Sequence, residues 1–232
     1  MLLVLTAIVF ALCLPAEAQQ PGKIPHIGFL SLSGANQEAF RQGLRDLGYI
    51  EGKNIAIESR TAANRADRLS VLAGELIDLK VEVIIAAGSQ AVRAAQRTTK
   101  SIPIVMTSSS DPVGTGFVAS LAHPGGNITG LSLLGPDLST KRLEILKEIV
   151  LGVSRVAVFW NPDDPAAKIS LRETEDAAKA LAMHLQILEI REASDFQSAF
   201  RAANQGRARA HSLAGAYHGY SGKTDCGVGV EK

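Results

Sequence analysis

The sequence predicts an α/β protein built on parallel β-sheets. Short apolar segments alternate with longer segments whose apolar residues recur every three or four positions, the spacing of amphipathic helices. Residues 81–87 form a continuous apolar run, which is typical of a strand covered on both faces. Residues 65–79 place leucines along one helical face. The alternation therefore favours doubly wound parallel sheets with helices on both faces and right-handed βα connections.

The first half of the chain repeats this βα unit. The predicted strands are residues 24–30, 54–59, 81–87 and 102–107, followed by an extended segment at 128–133. The predicted helices are residues 36–47, 65–79, 89–97 and a short one at 112–122. Gly48 suits the residue after the last turn of the first helix. Together these elements predict an N-terminal α/β lobe over residues 24–135.

The pattern restarts after residue 135, which predicts a partial second α/β lobe over residues 136–203. Its predicted helices are residues 138–150, 166–181 and 194–203, and its two predicted strands are residues 155–160 and 185–190. Residues 204–232 show neither period and are rich in Gly and Ser, so they are predicted to form a disordered tail. The second lobe is therefore expected to be incomplete, leaving side chains such as Val156 and Val158 poorly covered.

The composition and the missing motifs argue against several classes of function for this protein. A hydrophobic content of 46% supports a packed core, and a net charge of +1 gives no reason to expect a nucleic-acid partner. The sequence lacks a phosphate-binding P-loop, a nucleophile elbow, a zinc-protease motif and a dinucleotide-binding glycine pattern. We therefore expect a binding protein that is not an enzyme and that needs no cofactor or metal.

Polar loops follow several predicted strands at their carboxyl ends, where open parallel sheets bind ligands. The candidate ligand-binding residues are Ser31, Ser33, Ser89, Gln90, Ser109, Asp111 and Asn161. Gly88 would let the backbone approach a ligand, and a helix capped by Ser89 would offer free N–H groups to a carboxylate or phosphate. An ordinary helix cap and ordinary polar turns fit the same residues, so the sequence leaves both interpretations open.

Two stretches carry a family resemblance. The segments HIGFLSLSGANQEAFRQGLRDLGYIEGKNI and SDPVGTGFVASLAHPGGNITG resemble the bacterial ABC transporter substrate-binding protein family, and the similarity extends over residues 24–203. The resemblance implies the type I periplasmic-binding fold, in which two lobes close over a ligand. It places Ser89, Gln90, Ser109 and Asp111 against that ligand, with a weaker match at Asn161. It also implies a C-terminally truncated or frameshifted second lobe, because family members continue for about a hundred further residues.

The leading interpretation is the extracytoplasmic solute-binding component of an ABC importer. The family's understood members are receptors for amino acids, so the resemblance implies a small polar solute, an ABC permease as partner and a monomeric chain. One alternative is an extracytoplasmic sensor that feeds a membrane signalling partner. Another is an exported enzyme that uses Asp111 with the serines, although no feature of the sequence indicates a base with a raised pKa.

Export is the first testable expectation. Residues 1–18 are apolar and end in Ala16-Glu17-Ala18, which suits a signal peptidase, and the apolar run is shorter than the roughly 20 residues that span a bilayer. We predict a signal peptide cleaved after Ala18 and a periplasmic or otherwise extracytoplasmic location. N-terminal sequencing of the expressed protein should begin at Gln19, whereas an uncut leader retained in the membrane would contradict the prediction.

Overall fold

A computed structural model describes residues 23–34, 36–133 and 137–214. The predicted signal peptide and residues 215–232 lie outside these ranges. Within them, the chain forms two α/β units, each with its own parallel sheet. Of the helices in the described ranges, none combines the length and apolarity that a membrane span requires.

The first unit contains a five-stranded parallel sheet in the order β2-β1-β3-β4-β5. Its strands are β1 (His26–Ser31), β2 (Ala56–Thr61), β3 (Val83–Ala87), β4 (Ile104–Ser110) and β5 (Ile128–Leu133). Its helices are α1 (Gln37–Asp46), α2 (Leu69–Asp78) and α3 (Ser89–Thr98). This order is that of a doubly wound sheet and confirms the predicted fold class.

The core of the first unit depends on side chains that alternate between the two faces of the sheet. Leu30 of β1 joins the cluster that contains Leu76 of α2 and Val92 of α3. Phe29, the preceding residue, is also buried, and its ring lies 5.2 Å from that of Phe40 on α1. Adjacent residues of one strand therefore pack against helices on opposite faces, as a doubly wound sheet requires.

The second unit contains a three-stranded parallel sheet in the order β7-β6-β8. Its elements are α4 (Asp137–Ile149), β6 (Arg155–Trp160), α5 (Pro165–Ala180), β7 (His184–Glu189), α6 (Asp195–Gln205) and β8 (Ala210–Ala214). The sequence predicted two strands here and a tail over residues 204–232; β8 corrects the number of strands and, for residues 210–214, the predicted tail. Val156 and Val158 of β6 are 0% exposed, contrary to the poor covering predicted for them, because they pack with Leu143 of α4 and Leu171 of α5.

The connection between β4 and β5 also differs from the prediction. Residues 112–122 form turns and not the expected short helix. Asp111 has φ 44° and Gly116 has φ 71°, both in the left-handed region that interrupts a right-handed helix. The chain therefore crosses from β4 to β5 through a series of turns.

A bulge in β4 distinguishes this strand from its neighbours. Met106 pairs with Gly130 of β5, whereas Ser109 pairs with Ser132, so β4 holds one extra residue between these positions. The bulge breaks the alternation of side chains, and both Ser109 and Ser110 are buried. Gly130 makes it possible, because a Cβ there would overlap the carbonyl oxygen of Met106 and its φ is +136°.

Gly130 is therefore a position where a methyl group should be costly. We predict that Gly130→Ala lowers the free energy of unfolding by roughly 1–3 kcal/mol, through backbone strain and overlap with Met106. Gly43→Ala is the matched control, because a Cβ at Gly43 on α1 meets nothing within 4 Å. In urea unfolding the control should gain roughly 0.5–1 kcal/mol from helix propensity. Equal effects of the two substitutions would contradict the role assigned to Gly130.

Helix α5 begins with a partly buried carboxylate. Asp164 is its N-cap, and its Oδ1 accepts a hydrogen bond from the backbone N–H of Ala166 at 2.9 Å. Burial raises the pKa of this carboxyl to about 6, against the opposing effect of hydrogen bonds from the N–H groups of Ala166 and Ala167. Ionised Asp164 is thus less favourable in the folded protein than in the unfolded chain.

This raised pKa sets the sign of a pH dependence. The contribution of Asp164 to stability is largest below pH 4, where the carboxyl is protonated in both states, and it is lost as the pH rises to about 6. We predict that Asp164→Asn, which keeps a capping oxygen, removes a decline of roughly 1–3 kcal/mol between these limits. The measurement is urea unfolding of both proteins from pH 4 to pH 7. A difference between them that does not change with pH would contradict the prediction.

Candidate functional site

The candidate site starts where β3 ends and α3 begins. Gly88 is the N-cap of α3 and has φ 89°, a conformation that glycine adopts without strain. The sequence predicted Ser89 as the cap, and the structure corrects this: Ser89 is the first helical residue and makes no capping hydrogen bond. The hydroxyl of Ser89 is consequently directed to another partner.

Buried hydroxyl groups from adjacent strands meet at this edge of the sheet. Ser89 Oγ lies 3.1 Å from Ser109 Oγ, and both residues are buried. Ser31, at the end of β1, is also buried; its Oγ accepts the N–H of Gly34 at 3.0 Å and lies 3.3 Å from Thr61 Oγ1. Since β1 and β4 flank β3, the sheet brings three predicted site residues to neighbouring strand ends, with Ser33 partly buried in the turn after β1.

Two buried polar atoms in this region have no hydrogen-bond partner within the protein. One is Nε2 of Gln90, on the first turn of α3, and the other is Oγ1 of Thr107, in the bulge of β4. An unsatisfied buried polar group costs free energy, and bulges are common beside binding sites. Gln90 was predicted as a site residue, whereas Thr107 was missed, because a threonine inside a strand gives no signal of a bulge.

The carboxylate of Asp111 is folded into its own turn. Its Oδ1 accepts the N–H of Gly114 at 2.8 Å, and its Oδ2 occupies the space where a Cβ at position 114 would stand. Its backbone oxygen accepts the hydroxyl of Thr115 at 2.8 Å. Asp111 follows Ser109 and Ser110 at the end of β4, and its side chain is engaged in the turn.

Side chains of α3 hold this turn against the helix. Arg93 donates to the carbonyl oxygen of Thr115 at 2.5 Å, and its guanidinium lies 4.6 Å from the centre of the Phe117 ring. Gln96 donates to the carbonyl oxygen of Gly116 at 2.9 Å. Burial, followed by the charge of neighbouring Arg97, lowers the pKa of Arg93. The turn after β4 is therefore fixed relative to the N-terminus of α3.

The second unit contributes the loop after β6. Asn161 Oδ1 accepts the N–H of Asp163 at 2.9 Å, and Asp163 forms an ion pair of 2.8 Å with Arg191. Trp160, the last residue of β6, packs against the core cluster of Leu143 and Val158, and its buried indole Nε1 has no partner. Trp160 therefore combines packing against the core with an unpartnered donor.

The two halves of the candidate site belong to helices that touch. Helix α3 contacts helix α5 across the two units. Because α3 begins with Ser89 and Gln90 and α5 follows the loop of Asn161, both predicted halves lie on this pair of helices. No cluster of His, Cys, Asp and Glu suitable for a metal ion occurs among residues 23–34, 36–133 and 137–214. The groups available are hydroxyls, an amide, an indole N–H and helix N-terminal amides.

Known proteins share this fold, and some of them share part of this sequence. A "tyrosine-binding protein" of Clostridioides difficile is 35% identical over 144 residues, which are 62% of this chain and 41% of the relative. A structure of a conserved domain protein from Vibrio cholerae superposes with a TM-score of 0.74 at 27% identity, covering 82% of this chain and 64% of that one. A Streptococcus structure described as an ABC domain in complex with L-Trp superposes with a TM-score of 0.73 at 18% identity, covering 82% and 65% of the two chains.

The chain thus spans less than two thirds of the length of these relatives. The sequence profile described as "ABC transporter substrate binding protein" matches residues 31–212, which cover most of both α/β units and include every predicted site residue. The extent of this match, together with the type I periplasmic-binding architecture, shows that the chain belongs to the ABC transporter substrate-binding protein family.

Proposed function

We propose that this protein is the extracytoplasmic solute-binding component of an ABC importer and that it binds a small solute carrying a carboxylate between α3 and α5. The family match supports the class of function. The observation that carries the site is the unpartnered amide Nε2 of Gln90 beside the free N–H groups at the start of α3. Such a helix N-terminus favours an anionic group, and the amide would add a hydrogen bond.

The hydroxyl groups around Gln90 support the same choice of ligand. Ser89 and Ser109 already share one hydrogen bond, which leaves each oxygen with further capacity. The hydroxyl of Thr107 is available on the adjacent strand. Gly88 has no side chain, so a ligand can approach the backbone closely. Donors that are neutral and held in place can bind a carboxylate without an opposite charge.

The relative from Clostridioides difficile indicates which solutes to test first. Its name assigns it tyrosine, and its similarity to this chain covers 144 residues. We therefore propose aromatic amino acids and related aromatic acids as the first compounds for a thermal-shift screen. A ligand that binds only the native state raises the midpoint of unfolding by an amount that grows with the logarithm of its concentration relative to its dissociation constant. A permease partner and a monomeric state complete the proposal.

Gln90 allows a test that separates binding from folding. We predict that Gln90→Leu weakens solute binding by roughly 1–3 kcal/mol, because a hydrogen bond to the ligand is lost. It should leave the free energy of unfolding of the unliganded protein unchanged or slightly higher, because it removes a buried donor without a partner. Calorimetric titration and urea unfolding measure the two quantities.

The matched control is Gln96→Leu on the same helix. This substitution removes the hydrogen bonds of Gln96 with Gly116 and Arg93 and should lower stability by roughly 0.5–1.5 kcal/mol, while it should weaken binding far less than Gln90→Leu does, because Gln96 contacts the turn and not the start of α3. Loss of affinity in both variants, or in neither, would move the site away from the start of α3. Absence of binding by any solute of a broad metabolite panel would overturn the proposed function itself.

A further inference from the structure

We infer that Arg93 is a positioning residue of the proposed binding site, because it holds the turn that carries Asp111 in a fixed place beside the start of α3. This role rests on the proposed function, since it concerns how the groups of that site are held before a solute arrives. Arg93 lies four residues beyond Ser89 on α3. It acts through the turn and is not assigned a contact with the solute.

A chain of hydrogen bonds leads from Arg93 to the backbone of Asp111. Arg93 donates to the carbonyl oxygen of Thr115 at 2.5 Å. Thr115 donates in turn to the carbonyl oxygen of Asp111, through its backbone N–H at 3.0 Å and through its hydroxyl at 2.8 Å. Thr115 is buried, and a hydrogen bond is stronger where water is excluded. The guanidinium of Arg93 is thus connected to Asp111 through one intervening residue.

Two further contacts fix the guanidinium itself. It lies 4.6 Å from the centre of the Phe117 ring, and Phe117 is buried. It also donates to Oε1 of Gln96 at 3.0 Å. A cation over an aromatic face is attracted by the ring. Because these contacts use several N–H groups of one planar fork, a lysine at position 93 could not make the same set.

The turn needs such support because the backbone of Asp111 has an unfavourable conformation. Its φ of 44° lies in the left-handed region, which costs free energy for residues other than glycine. Such a conformation persists only where surrounding contacts enforce it. Here the contacts are the two bonds from Thr115 and a bond of 2.8 Å from the N–H of Gly114 to the carboxylate of Asp111. Arg93 anchors this arrangement to α3.

A turn that is held in advance favours binding because it removes an ordering step. The end of β4 and the turn after it supply Ser109 and Asp111, and the start of α3 supplies Ser89 and Gln90. A solute that touches both parts binds most tightly when their spacing is already set. If only a fraction of the molecules holds the competent arrangement, the apparent dissociation constant rises by the inverse of that fraction. Removing Arg93 should therefore weaken binding without removing a contact to the solute.

Arg93→Met tests this role in the full chain, with L-tyrosine as the probe. Calorimetric titration should show about a tenfold loss of affinity, as expected if about a tenth of the molecules keeps the turn in place. Arg93→Lys, which keeps the charge without the fork, should lose nearly as much. The matched control is Arg97→Met, which removes an exposed cation one turn further along α3 and should change affinity by less than about twofold.

Urea unfolding should show that each variant is folded under the conditions of the titration. Unchanged affinity in folded Arg93→Met would overturn the role, because Arg93 would then serve stability alone. Full affinity in Arg93→Lys would overturn it as well, since the charge and not the fork would then be what binding requires.

Hydrogen exchange of backbone amides gives a second measurement that needs no solute. The N–H groups of Thr115, Phe117 and Val118 donate within the turn. In Arg93→Met they should exchange at least about tenfold faster than in the unchanged protein, whereas the N–H of Ile84, in the central strand, should keep its rate. Unchanged exchange in the turn, or an equal increase at Ile84, would contradict a local clamp.

A double-substitution cycle identifies the residue through which Arg93 acts. Asp111→Asn removes the charge of the carboxylate and keeps a residue that tolerates a left-handed φ. In this background Arg93→Met should cost less than about threefold in further affinity, because the turn then positions a weaker group. Losses that multiply in full would show that Arg93 acts independently of Asp111, and the assignment would be wrong.

The outcomes separate this role from the proposed function. Binding of L-tyrosine that Arg93→Met leaves unchanged rejects the role of Arg93 and leaves a solute-binding protein in place. If another compound of the broad metabolite panel binds in place of L-tyrosine, that compound serves as the probe in the same titrations. A protein that binds no compound of the panel overturns the proposed function and, with it, the role of Arg93.

Discussion

The requirement that β3 pair in parallel with a strand on each side determines most of this structure. A parallel neighbour cannot be reached by a tight turn, so each strand must be followed by a crossing connection. The residues that follow β1, β3 and β4 therefore lie at one edge of the sheet. This constraint brings Ser31, Ser89 and Ser109 together although they are far apart in sequence. The apolar run of residues 81–87, which can be buried on both faces, is the sequence feature that fixes β3 at the centre.

The elements that the sequence predicts well are those whose pattern arises within the element itself. The run at 81–87 and the leucine stripe at 65–79 each carry their own signal, and the structure contains β3 and α2 at these positions. Strand β8 was missed for the opposite reason. The segment 210–214 is short and follows an arginine-rich segment. It forms a strand because β6 offers an unpaired edge. Pairing with a partner is not visible in a local period.

The sequence predicted at which strand ends the candidate site residues lie, but only in part which of their atoms remain able to bind a ligand. The rule that ligands lie beyond the carboxyl ends of parallel strands led to Ser89, Gln90, Ser109 and Asp111, which the structure places on adjacent strand ends. The rule gives no information on which atoms remain free after folding. Asp111 turned towards Gly114, and the bulge of β4 buried Thr107 without a partner; both depend on backbone geometry set by Gly114 and Gly130. Neither glycine could be related to those residues from sequence spacing alone.

A binding site of the proposed kind lowers the free energy of unfolding of the unliganded protein. The groups that cause this loss indicate which chemistry a ligand would supply. Burying the amide of Gln90 and the indole N–H of Trp160 without partners lowers the free energy of unfolding, and apolar substitutes of similar shape would avoid the loss. Elsewhere in the same loops the polar groups satisfy one another, as in the pairs Ser89–Ser109 and Asp163–Arg191. The sites where a sequence breaks the rules of local stability are most often those where it binds something. Both unsatisfied nitrogens are donors, so in the site proposed for the start of α3 a ligand that brings acceptor oxygens would recover part of the free energy given up in folding.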